Sequence, residues 1–160
     1  MKGKVPEGFT VSMALVDCIP VVFFSIMMSI VSLRFQSIWF YVGVFLVILA
    51  GALKCLWKFL VAIVKKNIYP LFLQMRILMP AGFLLILVSL WIDREKISAA
   101  AIVGQITSFP AVLFYGLGIL GMCAMMIFAK KLDPADARSN WIEQGTNGVA
   151  QLCFLIAIVL

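Results

Sequence analysis

The stretch IWFYVGVFLVILAGALKCLWKFLVAIVKK, residues 38–66, decides the fold. From Ile38 to Val64 it supplies about 40 Å of helix at 1.5 Å per residue, more than the ~30 Å hydrocarbon core of a bilayer. It reads as membrane-spanning, with the surplus length taken up by tilt, a kink or protrusion into the headgroups. Yet Lys54 and Lys58 fall inside the run, before Lys65, Lys66 and Asn67 close it. A charge near the bilayer centre costs about 2.5–3.5 kcal/mol, so such groups face the interior of a bundle, pair, or line water.

Four more apolar runs flank this one: about 11–33, closed by Arg34 and Gln36; 69–92, closed by DREK (93–96); 97–129, stopped by Lys130 and Lys131; and 141–160, after LDPADARSN (132–140). The composition agrees. Of 160 residues, 64% are hydrophobic and 12% charged, with mean hydropathy +1.14, whereas soluble domains are nearer half apolar and a quarter charged. The sequence therefore implies an all-α integral membrane protein, a single bundle of about five transmembrane helices, with residues 1–160 as one domain. The first run is too long for a signal-peptide core, contains Asp17 and Pro20, and lacks a small-residue exit, so it reads as a retained span.

Orientation follows from basic residues in the loops. Lys2, Lys4, Lys65, Lys66, Lys130, Lys131 and Arg138 lie on one side; Arg34, Arg94 and Lys96 lie on the other. The bias places the N-terminus in the cytoplasm and implies a cytoplasmic (inner) membrane location. The formal charge of +6 belongs to these loops, so it is a topology signal and not a nucleic-acid footprint. Interaction with anionic headgroups is a secondary reading, the lipid bilayer being the first partner.

Histidine is absent, which excludes His-ligated haem and zinc and every Ser–His or Cys–His nucleophile. Cys18, Cys55, Cys123 and Cys153 all sit in apolar runs without C-x-x-C spacing and read as packing residues. No metal or cofactor is implied. Gly116, Gly118 and Gly121 lie within the fourth run with no preceding strand, so they read as helix-packing residues and not a nucleotide loop. Five spans in this length also match the size of the translocator/tryptophan-rich sensory proteins, but their aromatic-rich motifs have no counterpart in this sequence.

The intramembrane polar residues gather at one depth. Counting from the inner end of each run, Asp17 lies about 9 Å deep and Arg76 about 10 Å, with Gln74 somewhat shallower. Lys58 and Lys54 lie about 10 and 16 Å above Lys65; Glu143, Asn147 and Gln151 lie about 3, 9 and 15 Å from Trp141. Asp17, Lys54, Gln74, Arg76, Glu143, Asn147 and Gln151 are the candidate ligand-binding residues, with Asp17 expected to pair with Lys54 or Arg76. One positive charge is then left over, which suits an anionic guest. Pro20, Pro80 and Pro110 each free a carbonyl one turn back, at Val16, Arg76 and Ile106, and Pro110 is a candidate hinge.

Structural readings compete at several positions. Lys58 has the stem to snorkel to the interface, the more favoured expectation for it. NWIE (140–143) matches a capping box with Asn140 as N-cap and Glu143 at the third position. Asp133–Pro134 looks like a helix start, and Asn147 and Gln151 suit interhelical hydrogen bonds.

The leading functional expectation is a small membrane protein with a cytoplasm-facing polar cavity that binds or transports a small solute or ion, of anionic character. The second is a non-catalytic subunit of a larger membrane complex or homo-oligomer, suited by the glycine-rich fourth span and a sequence that closes at Leu160 directly after the fifth. The third is a membrane-embedded enzyme acting on a lipid-like substrate. The orientation is tested by fusions: alkaline phosphatase joined after Leu160 is expected to be active and after Asn67 inactive, and the reverse pattern would invert the topology.

Overall fold

The computed structural model describes residues 10–96, 98–132 and 136–160, and these are all helical apart from short connections. The helices are α1 (Val11–Phe35), α2 (Ile38–Phe59, continued by a π-helical turn Leu60–Val64), α3 (Tyr69–Leu73), α4 (Met75–Ile92), α5 (Ala99–Thr107), α6 (Ala111–Lys131) and α7 (Ala137–Val159). Five helical stretches are long and apolar enough to cross a membrane: Val11–Phe35, Ile38–Val64, Tyr69–Ile92, Ala111–Phe128 and Arg138–Val159.

Local chemistry sets the ends. Thr10 caps α1 by accepting from the Met13 N–H, and Ser37 caps α2 by accepting from the Phe40 N–H. Asp136 caps α7, its Oδ2 accepting from both the backbone N–H and the hydroxyl of Ser139 at 2.8 Å. The capping box expected at Asn140–Glu143 is therefore corrected: the helix starts a turn earlier, and Asn140 is an interior residue. The Ser139 N–H, and after it the Ser139 hydroxyl, hold the Asp136 carboxyl below its usual range. A carboxylate depressed in this way stabilises the helix start above the ordinary carboxylate range, and that contribution is lost as pH falls through the lowered value. The start expected at Asp133–Pro134 lies outside the described residues.

Where the sequence reads one span over 97–129, the structure has two helices, α5 and α6, separated at Ser108–Pro110. Pro110 has no N–H for the Ile106 carbonyl and disfavours helical geometry at Phe109. The hydroxyls of Thr107 and Ser108 turn back to the carbonyls of Val103 and Gln105, finishing the break. The third span is interrupted more gently at Gln74. There the Gln74 side-chain amide donates to the carbonyls of Leu71 on its own helix and Ala50 on α2, both at 3.1 Å, tying the irregular turn to its neighbour. Both α1 and α4 continue unbroken through Pro20 and Pro80.

The long helices pack in the spatial order α4–α2–α1–α7–α6, with α5 beside α6. Among the described residues, α4 and α6 are not packed on one another, so the helices form an open row and not a closed ring. Burial follows the row: 44% of the span on α2 is buried, against 11% at each of the edge helices α4 and α6. Small residues set the closest approaches. A Cβ on Gly43 would meet the Gly82 carbonyl oxygen at 2.8 Å, and one on Gly82 would meet the Gly43 carbonyl oxygen at 2.7 Å. Here α2 and α4 touch backbone to backbone, beside Phe40, Val44, Val47 and Ile86. Across the row, Gly121 leaves room for Ala150 and Gly118 for the Phe154 ring, bringing α6 against α7.

The glycine crossing gives a test. Gly82→Leu drives a branched side chain into the α2 backbone and is expected to lower the thermal midpoint in detergent by several degrees. Gly104→Leu, whose added Cβ meets open space, is expected to leave it unchanged. Equal midpoints for the two variants would show that the α2–α4 contact is not close.

Candidate functional site

Three helices bring polar side chains together at one end of the row. Asp17 on α1, Lys58 on α2 and Asn140 on α7 are 3, 3 and 5% exposed. The Lys58 Nζ donates to Asp17 Oδ1 at 2.7 Å and to Asn140 Oδ1 at 2.9 Å. The Cys55 thiol, one turn before Lys58, points at the Asp17 backbone carbonyl at 3.7 Å. This places the starts of α1 and α7 beside the end of α2, so α1 and α7 run in the same direction with α2 opposed. The centre is an ion pair with an amide acceptor, held in apolar surroundings, and such a pair stands only when its hydrogen bonds are good.

Sequence reasoning named Asp17 but assigned its partner to Lys54 or Arg76. The structure corrects both: the partner is Lys58, expected to snorkel and instead fully buried. The signal was present in α2. Its buried positions Val44, Val47, Gly51, Cys55 and Lys58 advance by three or four residues, so Lys58 continues the packed stripe. Lys54 lies beside that stripe and is half-buried. Asn140 was hidden by its reading as a cap. Once Asp136 takes the capping role, Asn140 is one full turn inside the helix and faces Lys58.

The other candidates are dispersed. Arg76 is exposed on α4, its guanidinium 5.8 Å from the centroid of the Phe72 ring. Gln74 is half-buried at the α3–α4 break, where its amide nitrogen is used structurally and its Oε1 finds no partner among the described residues. Glu143, Asn147 and Gln151 are half-buried along α7, and the Gln151 Oε1 is likewise buried without a partner. Arg76 and Gln74 lie on α4 and at its start, and Glu143, Asn147 and Gln151 on α7, while Asp17 is on α1. Among the described residues, no three Cys, Asp or Glu side chains come together as a metal-binding group.

Two concavities border α7, and both are apolar. One of about 220 Å³ lies between α1 and α7 and is lined by Val16, Ile19, Phe23, Gln144, Gly148 and Leu152, with Gly145 and Val149 between. The other, about 370 Å³, lies between α6 and α7 against Leu117, Gly121, Thr146, Ala150 and Cys153, again with Gly145 and Val149. Neither contains Asp17, Lys54 or Arg76. Compared with known protein families, with curated proteins and with solved structures, the chain matches none.

A double-mutant cycle tests the centre. Lys58→Met strands a buried carboxylate and is expected to cost about 3–5 kcal/mol in reversible unfolding. Asp17→Asn/Lys58→Met is expected to recover much of that loss, giving a coupling of at least about 1 kcal/mol. Strictly additive single effects would mean that the two groups do not interact.

Proposed function

We propose that the chain is a membrane-embedded, non-catalytic subunit that works within a larger assembly of helices. The single observation that carries this reading is the open row. Among the described residues, α4 packs against a single long helix, α2, and α6 against a single long helix, α7. On the α5–α6 edge the uncovered surface has small residues: Ala100 and Gly104 are exposed, and a Cβ added to Gly104 or Gly116 meets nothing within 4 Å. Small residues four apart let a neighbouring helix approach closely, and lipid makes little use of them. Thr107 and Ser108, also exposed there, donate within their own helix but keep hydroxyl oxygens able to accept from a partner helix. In this reading the N-terminus is cytoplasmic, the membrane is the inner one, and the Asp17–Lys58–Asn140 centre is the staple that holds the subunit's shape.

Binding or transport of a small anionic solute is the second reading, and one observation favours it. Lys54, half-buried one turn from Lys58, adds a positive charge that the Asp17–Lys58 pair does not balance. An anion entering there would be held by Lys54, with Asp17 releasing Lys58 as a second donor.

The readings separate experimentally. Full-length protein carrying a bromoacetyl or maleimide crosslinker on Gly104→Cys, in native membranes, is expected to give a discrete adduct with another membrane protein or a second copy. Gly104→Leu is expected to abolish co-purification while leaving thermal stability intact. A monomer in mild detergent that forms no adduct would overturn the subunit reading. Stabilisation of the parent by a small anion, lost in Lys54→Gln, would favour the solute reading.

A further inference from the structure

The two apolar concavities are halves of one trough. Gly145 and Val149 line both, so both open on the same face of the row, one on each side of α7. Gly145 is exposed and a Cβ there would meet nothing within 4 Å, which leaves the ridge between the halves low. On the α6 side the depth comes from Gly121, where α7 approaches closely enough for Ala150 to take the place of a side chain.

Basic residues stand beyond one end of the trough. On α7 the lining runs from Gln144 to Cys153, through the middle of the helix, and on α6 from Leu117 to Gly121; the C-terminal end of α6 and the beginning of α7 lie beyond one end of it. At that end Lys130, Lys131 and Arg138 are all exposed. Asp136, the neighbouring acid, has its carboxylate engaged by Ser139. Gly145 lies two turns beyond Arg138, about 10 Å, and Cys153 about 22 Å beyond it. The apolar lining thus begins about 10 Å below the basic residues and reaches past mid-membrane depth, half of ~30 Å, the range that acyl chains enter beneath a headgroup held at Arg138.

We infer that this trough seats the acyl chains of an anionic phospholipid straddling α7, with Lys130, Lys131 and Arg138 holding its phosphate. Charge complementarity selects this occupant over a zwitterionic lipid, since each basic residue near an anionic headgroup adds to its attraction and a cluster of them acts together. The inference rests on the chain's being membrane-embedded and is independent of its belonging to an assembly.

The test uses the purified full-length chain in detergent, titrated with phosphatidylglycerol or phosphatidylcholine of matched acyl chains while thermal unfolding is followed. Phosphatidylglycerol is expected to raise the midpoint by about 5 °C at saturation, and phosphatidylcholine by little. Gly145→Phe fills the trough where the fold has room, so it is expected to keep the lipid-free midpoint and lose the shift. Lys130→Gln/Lys131→Gln/Arg138→Gln is expected to reduce the phosphatidylglycerol response to the phosphatidylcholine level. An equal response to both lipids, or a shift that survives in Gly145→Phe, would overturn the inference. So would a dimer of the parent that Gly145→Phe converts to monomer, because a second copy would then fill the trough.

Discussion

A lysine ammonium paired with an aspartate in apolar packing constrains everything around it. Lys58 and Asp17 are each 3% exposed, and their contact of 2.7 Å can be made at only one relative depth of α1 and α2. Asn140 extends the same condition to α7. Two charges taken out of water individually are expensive, and the pair is tolerated because it is neutral together and its hydrogen bonds are short. The three helices are therefore fixed in register by chemistry at one end, while further along Phe24, Met28, Val31 and Phe35 of α1 pack against the Phe40, Val44, Val47 and Ile86 cluster that α2 shares with α4.

Around that staple the row extends by close backbone approach. Burying apolar side chains gives no association energy between helices in lipid, where tails are as apolar as leucine. Packing must then come from shape, and the glycines supply it: Gly43 against Gly82 at one side, Gly121 against Ala150 at the other. The result is one helix thick. Its α5–α6 edge exposes Ala100 and Gly104, its α4 edge exposes Phe83, Leu84 and Leu87, and the step between α1, α7 and α6 forms the trough.

Much of this was legible in the chain. The five apolar runs could be read because their lengths exceed what any other element needs, and helix boundaries at Val11, Ile38, Tyr69 and Ile92 follow capping and charge. The break at Ser108–Pro110 was half legible: the proline announced a lost hydrogen bond, but only the backbone shows two helices instead of a bend. Asp17 was found because an acid deep in an apolar run has few bland explanations. Lys58 was missed because depth alone made snorkelling reasonable, whereas its place on the buried stripe of α2 decides the matter.

The sequence by itself determined that the chain is helical, apolar enough to cross a membrane five times, and burdened with charges toward one end. Those properties depend on composition and on local periodicity, which each segment carries within itself. Only the tertiary structure decided which cation meets Asp17, that Arg76 faces outward, and that the helices stand in an open row. Such outcomes depend on which faces of distant segments meet, and no local signal tells whether residues at equal depth on different helices point toward or away from one another.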